Sequence, residues 1–279
     1  MSAGRLVLVA TPLGNMADLA PRSASVLAGA DVVACEDTRR TGRLLLLAGI
    51  TARRLVAVHE HNEASMVPSV LERLRLGETV ALVSDAGMPG VSDPGERLVR
   101  AAVAAGHVVS VVPGPSAGVA ALVVSGLPTG RWVFEGFLPR KGADRARRLG
   151  EVALERRTAV LYEAPHRLAA TLGDLVSACG PGRRVVLARE LTKLHEEVWR
   201  GTLGEAAGLG HTPRGEYVIV IDGAPAPAEV TDSVIEAALA DQLEMDQDRR
   251  AAVAAVTCEL GVHKRRVYDI AVRLRQGPR

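Results

Sequence analysis

TVALVSDAGMPGVSDPGERLVRAAVAA, residues 79–105, decides how this chain folds. Thr79–Val83 is a short apolar run rich in β-branched residues and reads as a buried strand; Glu96–Ala105 reads as a helix. The twelve residues between them, Ser84–Gly95, hold three glycines, two prolines and two aspartates. Glycine permits the dihedrals that bring a backbone close to a ligand, and in open α/β sheets the ligand crevice lies at the carboxyl ends of the strands. This loop is therefore the first place to expect a bound small molecule.

Working outward, Arg5–Ala10, Asp31–Cys35, Leu55–Val58 and Val108–Val112 are further strand-like runs. Ala20–Ala28 and Val67–Arg75 read as helices between them. Strands alternating with helices predict a mainly parallel sheet covered on both faces, over residues 1 to about 127. The pattern then changes. Trp132–Leu138, Thr158–Glu163, Val185–Leu191, Val198–Leu203 and Tyr217–Asp222 are strand-like, with helices expected at Ala143–Glu155 and His166–Ala178. This predicts a second α/β domain, 128–223, with more antiparallel character. Ala224–Glu229, APAPAE, has the composition of a linker. Residues 230–279 then read as a small basic helical domain of two helices, Arg249–Leu260 and His263–Arg275, flanking Gly261. Val267, Ile270, Ala271 and Leu274 recur as one apolar face. From Asp246 onward eight Lys/Arg (249, 250, 264, 265, 266, 273, 275, 279) face four acids (246, 248, 259, 269).

The bulk numbers narrow the class. A chain of 279 residues with 48% apolar and 3% aromatic residues needs an aliphatic core. A formal charge of +2 gives no large field for nucleic acid or membrane, so any basic patch is local. No signal-peptide pattern opens the chain and no apolar run reaches the ~18 residues of a membrane span, so a soluble cytoplasmic protein is expected. Cys35, Cys179 and Cys258 lack ligand spacing and read as buried, reduced thiols.

Two more loops follow strands. Thr11-Pro12-Leu13-Gly14-Asn15 lacks GxGxxG, and Pro12 has no N–H to offer a phosphate. In Pro113–Gly118, PGPSAG, Ser116 reads as the cap of an apolar helix; in the central loop Asp93-Pro94 reads as a helix cap followed by the first helical residue, leaving Asp85 and Gly87 for ligand contact. Three loops after strands of one sheet would converge on one edge. His59 and His61 would share a face if they lay on a strand, but no third ligand is evident, so no metal is expected. Arg39, Arg40 and Arg43 are spaced to bind phosphate. Pro139–Gly142 with Arg145, Arg147 and Arg148, and Lys264–Arg266, form local basic stretches suited to a phosphate backbone; the scarcity of aromatics argues against a base-stacking sheet.

Read together, TPLGN, CEDTRRT (Cys35–Thr41), HEHNE (His59–Glu63), SDAGMPGVSDPG, PGPSAGVAAL and ARELTKLHEE (Ala188–Glu197) resemble the tetrapyrrole-methylase-like superfamily of methyltransferases, over about Gly4–Asp222. Within it they are similar to the branch that methylates a cytidine 2′-oxygen in 16S ribosomal RNA. The resemblance implies S-adenosyl-L-methionine as cofactor, in a cleft between two α/β domains, a homodimer, and 16S rRNA or the small ribosomal subunit as partner. Carried over, it implies cofactor contacts at Pro12, Asp85, Ala86, Gly87, Met88, Val91, Ser92, Ser116, Ala117 and Tyr162. Where tetrapyrrole-modifying relatives carry glycine-glycine-aspartate-proline, this chain has Val83–Ala86 and shares only Asp85. A ribose hydroxyl needs a group that takes or orients its proton. Lys193 and Glu163 are the candidate catalytic residues, with Glu190, His61 and His166 in reach of the same chemistry. Lys193 is a base only with a depressed pKa, and otherwise contacts phosphate. A tetrapyrrole methyltransferase, a non-catalytic RNA-binding module and a dinucleotide oxidoreductase are the competing readings, the last disfavoured by the missing GxGxxG.

Overall fold

The computed structural model describes residues 4–210, 214–226, 230–244 and 248–276, without the side chains of Glu244, Arg275 and Gln276. They fall into two compact units, Met1–Ala224 and Pro225–Arg279.

The first unit holds two five-stranded sheets. Strands β1 (Arg5–Val9), β2 (Val32–Cys35), β3 (Leu55–Ala57), β4 (Thr79–Val83) and β5 (Val108–Val112) are all parallel, in the order β3-β2-β4-β1-β5. Helices α1 (Pro21–Gly29), α2 (Thr38–Leu47), α3 (Glu63–Arg75) and α4 (Glu96–Ala104) connect them. β2 is buried at every position and β4 at all but its first, as a parallel strand covered on both faces must be. Separate cores lie on the two sides. Leu6, Leu74, Leu82 and Leu98 anchor one; Val9, Leu27, Val33 and Val83 anchor the other. Each such leucine removed from water contributes about 1.5–3 kcal/mol. The strand order reverses its winding between β1 and β4, so the chain leaves these two strands toward opposite faces of the sheet, and in such sheets ligands bind at the carboxyl ends of the strands.

The second sheet contains β6 (Trp132–Phe137), β7 (Thr158–Glu163), β8 (Arg184–Arg189), β9 (Glu197–Thr202) and β10 (Tyr217–Ile221), ordered β6-β7-β10-β8-β9. Only β6 and β7 run parallel; the other neighbours are antiparallel, as expected. Helices α6 (Ala143–Leu154), α7 (Leu168–Cys179) and α8 (Leu203–Gly208) cover one face, and α5 (Ala117–Ser125) packs on the other through Ala121 and Leu122. The division proposed at 127/128 thus follows α5, although that helix packs on the second sheet. The second unit packs α9 (Asp232–Glu244), α10 (Arg249–Leu260) and α11 (Lys264–Gln276) around Ile235, Leu239, Val253, Val256, Val267 and Ile270.

Several sequence expectations need correction. Among its described residues the tail holds three helices, α9 preceding the expected pair. Leu274 sits 43% exposed at the margin of the apolar face. The helix expected over Val67–Arg75 starts a turn earlier, at Glu63, and carries Pro68 inside. His59 and His61 are not on a strand: β3 ends at Ala57, and both lie in the turn into α3. Cys35 is buried and all three thiols are free, yet Cys258 is exposed. The expected linker residues Pro227, Ala228 and Glu229, and the tail charges Asp246 and Arg279, lie outside the described residues.

Candidate functional site

At the carboxyl ends of the first sheet the loops after β1 and β4 are stitched together. Thr11 and Gly87 exchange backbone hydrogen bonds, Thr11 N–H to Gly87 O at 2.9 Å and Gly87 N–H to Thr11 O at 3.0 Å. Gly87 needs φ +82 for this, and a Cβ there would stand 3.3 Å from Leu13 Cδ2. The third loop is fixed from the opposite sheet. Tyr162, at the end of β7, accepts a hydrogen bond from Gly118 N–H in the first turn of α5 at 3.0 Å. Ser116 holds the cap position but makes no capping bond with its own side chain, so the tyrosine hydroxyl does that work.

These loops and the ends of β6, β7 and β10 enclose a cavity of about 370 Å³. Of the residues singled out from the sequence and its resemblance, Asp85, Ala86, Gly87, Met88, Val91, Ser92, Ser116, Ala117, Tyr162 and Glu163 line it. Leu13, Glu36, Arg40, Asp93, Phe137, Ala164, Pro165, Glu216, Tyr217 and Val218 complete the wall. Two expected members do not reach it. Pro12 is buried and Leu13 faces the cavity in its place. Lys193 stands outside the wall, tethered by Nζ to Glu190 at 2.9 Å and to Glu216 at 3.0 Å.

The charges have distinct stations. Asp85 is held on both oxygens: Asp37 N–H donates to Oδ1 at 3.2 Å and Arg40 Nη1 to Oδ2 at 3.0 Å. Asp37 in turn caps α2 through Arg39 N–H at 2.8 Å. CEDTRRT therefore supports the central loop; Arg39 is paired to Asp37 and Arg40 to Asp85, and only exposed Arg43 of the three arginines has no ion-pair partner among the described residues. Glu163 is 3% exposed; Thr171 Oγ1 donates to one oxygen at 2.5 Å and Ala164 N–H to the other at 2.9 Å, with Arg167 Nε 3.3 Å away. Glu163 braces the start of α7, with both oxygens engaged. For Lys193, burial pulls the ammonium pKa down, but the hydrogen bonds to Glu190 and Glu216 outweigh this and leave it above the ordinary lysine value. A base needs the opposite shift; in this arrangement the lysine ties Glu190 to Glu216. Its stem runs across Gly14, where a Cβ would meet Lys193 Cγ at 2.3 Å. TPLGN and ARELTK thus belong to one contact.

Asp93 does not cap α4. The helix starts at Glu96 after Gly95 (φ +141), and Glu63 Oε1 accepts from Gly95, Arg97 and Leu98 N–H at 3.0, 2.9 and 3.1 Å. The HEHNE motif thus supplies a cap from another helix, and Asp93 faces the cavity. Burial first, then the charge of Glu36, pushes its carboxyl up to about 7, against a hydrogen bond with Ser84. Burial and the charge of Asp85 likewise raise Glu36. Sequence reasoning missed both acids, although Glu36 lies within CEDTRRT directly after a strand. His59 and His61 meet edge to face with centroids 6.1 Å apart, and among the described residues no group of three His, Cys, Asp or Glu could hold a metal.

The cavity suits S-adenosyl-L-methionine. Its volume lies within the ~300–1,000 Å³ ordinary for small-molecule sites. Met88, Val91, Phe137 and Tyr162 offer apolar and aromatic surface for a heterocycle. Glu36, Asp85, Asp93 and Glu216 against Arg40 offer net negative charge for a cationic ligand.

Basic surface is narrower than the sequence suggested. Arg145 is tied to Asp174, Thr171 and Pro139 O, while Arg147 and Arg148 pair with Asp144, Glu151 and Glu135. Exposed Arg140 and Lys141, just beyond β6, carry no ion pair among the described residues. In the second unit Arg266 and Arg273 both clamp Asp232, whereas Lys264 and Arg265 are exposed.

Comparison with known proteins agrees with this geometry. Residues 5–207 match the family model of Tetrapyrrole (Corrin/Porphyrin) Methylases. The chain is 44% identical to the ribosomal RNA small subunit methyltransferase I of Synechocystis sp., covering 97% of this chain and 98% of that one. It is 46% identical to the protein of that name from Mycobacterium tuberculosis, covering 99% and 97%. Among solved structures, uroporphyrin-III-C-methyltransferase from Thermus thermophilus superposes with a TM-score of 0.58 at 24% identity, over 78% of this chain and 94% of that one. A diphthine synthase superposes with a TM-score of 0.60 at 14% identity, over 78% and 90%. At such identities these structures establish the fold alone.

Proposed function

The chain belongs to the tetrapyrrole methylase family and, within it, to the ribosomal RNA small subunit methyltransferase I family, and on that premise we propose that it methylates the ribose 2′-oxygen of a cytidine in 16S ribosomal RNA, using S-adenosyl-L-methionine. The observation that carries the reading is convergence. Three loops far apart in sequence, each after a strand of the parallel sheet, meet the ends of β6, β7 and β10 around one acidic cavity, in a chain matched end to end by rRNA methyltransferases.

When bound, the cofactor supplies a methyl group already activated on a positively charged sulfur. The protein's tasks are then to hold, orient and shield. Glu36, Asp85 and Glu216 offset positive charge in a partly desolvated space, where charges act more strongly than in water. Met88, Val91, Phe137 and Tyr162 exclude water from it. The Thr11–Gly87 bridge and the Tyr162–Gly118 bond fix the loops that set the line of attack. Arg43, Arg140 and Lys141, which carry no ion pair among the described residues, are available to position RNA phosphates, and Lys264 and Arg265 add a second set on the helical unit.

Tetrapyrrole methylation is the alternative the fold allows. The family model ends at residue 207, while the rRNA methyltransferase matches continue through the basic helices, which favours RNA. The test offers small ribosomal subunits, naked 16S RNA and uroporphyrinogen with labelled cofactor, followed by mass spectrometry of nucleosides. 2′-O-methylcytidine is expected; label appearing on the tetrapyrrole alone would reject the RNA reading.

A homodimer fits the exposed apolar side chains of the first unit: Val108 and Val111 on edge strand β5, and Val119, Val123 and Val124 on α5. Analytical ultracentrifugation would find twice the 29.3 kDa chain mass; a lone monomer at working concentration would reject it. A cytoplasmic location accords with the substrate, and no described helix is long and apolar enough to cross a membrane.

A further inference from the structure

Five carboxyl groups line the cavity: Glu36, Asp85, Asp93, Glu163 and Glu216. Four are anchored by the protein. Asp85 takes Arg40 and the Asp37 N–H, Glu163 takes Thr171 and the Ala164 N–H, Glu216 takes Lys193, and Glu36 takes the Asp85 N–H. Asp93 has only the neutral hydroxyl of Ser84, and no described cation pairs with it. A carboxyl without compensation is expensive to keep in a partly buried wall.

The backbone is arranged to put it there. Ser92 adopts φ +60, a left-handed conformation that a non-glycine residue rarely takes. Its Oγ lies against Gly136 (φ +62), beside the irregularity in β6, where a Cβ would stand only 3.1 Å away. The capping duty that Asp93 would otherwise perform belongs to Glu63. Strain of this sort is commonly stored at functional sites. Around Asp93 stand Ser84 and Asp85 from its own loop, Glu36 after β2, Glu216 before β10 and Tyr162 on β7, with Arg40 of α2 turned to Asp85.

We propose that the Asp93 carboxylate is the catalytic proton acceptor for the attacking ribose 2′-hydroxyl, a role that rests on the methyltransferase reading above. The O–H bond breaks and its proton passes to Asp93 Oδ. The oxygen lone pair forms the new bond to the methyl carbon, and the carbon–sulfur bond breaks with its electron pair remaining on sulfur. A sulfonium cation and a carboxylate become a neutral thioether and a carboxylic acid, which then releases its proton to solvent. A carboxyl poised near 7 accepts and returns a proton at working pH.

The test pairs Asp93→Asn with Asp93→Glu in the full chain. Single-turnover methyl transfer to the small subunit or its RNA is followed from about pH 5.5 to about pH 9. The asparagine variant should lose about 100-fold or more in rate and lose the acidic limb near 7. The glutamate variant should recover part of the rate with a displaced limb. Two readouts do not depend on turnover. Carboxyl carbon-13 resonances of the unaltered protein should contain an aspartate titrating near 7 that is missing from Asp93→Asn. Calorimetric affinity for S-adenosylhomocysteine should stay within about threefold, reporting an intact site. An asparagine variant that binds S-adenosylhomocysteine and keeps both rate and acidic limb overturns the proposal. Should that variant fail to fold, a carboxyl spectrum of the unaltered protein with no aspartate titrating near 7 overturns it equally. If the unaltered protein binds the cofactor yet methylates no ribose, the functional reading itself falls and takes the proposal with it.

Discussion

The loop after β4 has two halves that differ in what holds them. In Ser84–Met88 every charged or strained element has a partner: Gly87 bridges to Thr11, and Asp85 is gripped by Arg40 and the N–H of Asp37. In Val91–Gly95 the backbone is left-handed at Ser92, and the carboxyl of Asp93 lacks a counter-charge. Two aspartates eight positions apart therefore stand in opposite states. One is held on both oxygens by the protein; the other is left costly and available. A satisfied carboxylate in a cleft fixes shape, whereas an unsatisfied one is a candidate for chemistry.

The comparison depends on Glu63, which relieves Asp93 of capping. Glu63→Ala should break it most severely. Three N–H groups at the start of α4 lose their shared acceptor in a buried setting, a loss of about 3 kcal/mol in urea unfolding. A change below about 1 kcal/mol would mean that the cap is dispensable or that Asp93 has taken it over. Gly87→Ala attacks the other half. A side chain at φ +82, 3.3 Å from Leu13 Cδ2, should cost about 1–2 kcal/mol of stability. With the Thr11 bridge distorted, calorimetry should record about a tenfold loss of S-adenosylhomocysteine affinity, equal to ~1.4 kcal/mol. Unchanged affinity would detach the bridge from the site.

Much of this was legible in the chain and some was not, for physical reasons. Buried parallel strands announce themselves as unbroken apolar runs, so β1, β2 and β4 could be placed from composition and period alone, and glycine marked the loops after β1, β4 and β5. Convergence of the three glycine-bearing loops followed from sheet geometry. Capping did not. Asp93-Pro94 has the local signature of a helix start, but the helix begins two residues later and takes its acceptor from Glu63, more than thirty positions upstream. Ser116 is also correctly placed for a cap that Tyr162 provides. The standing of Lys193 was equally hidden, because Glu216 lies twenty-three residues beyond it and meets it only after β8 and β10 pair. Local rules describe what a residue can do alone; which carboxyl keeps its charge uncompensated is settled by partners brought from other elements.

The smallest effect concerns stability and has the opposite sign. A carboxyl raised from 3.8 to about 7 in the folded protein holds its proton more tightly there than in the unfolded chain. Between those values the folded state carries the extra proton, so its stability falls as pH rises through the window and levels off above about 7. An asparagine side chain in its place has no proton to lose. Asp93→Asn should therefore melt higher than the parent, and the gap should widen from about pH 5 to about pH 8. Asp93 is partly open to solvent, which screens the cost, so about 1 kcal/mol, or about 3 °C of added widening, is expected by scanning calorimetry. A gap that does not change with pH would mean that Asp93 is as well compensated as Asp85, and the contrast between the two halves of the loop would disappear. A gap that widens while methyl transfer collapses would identify the carboxyl as one kept for turnover at the expense of stability.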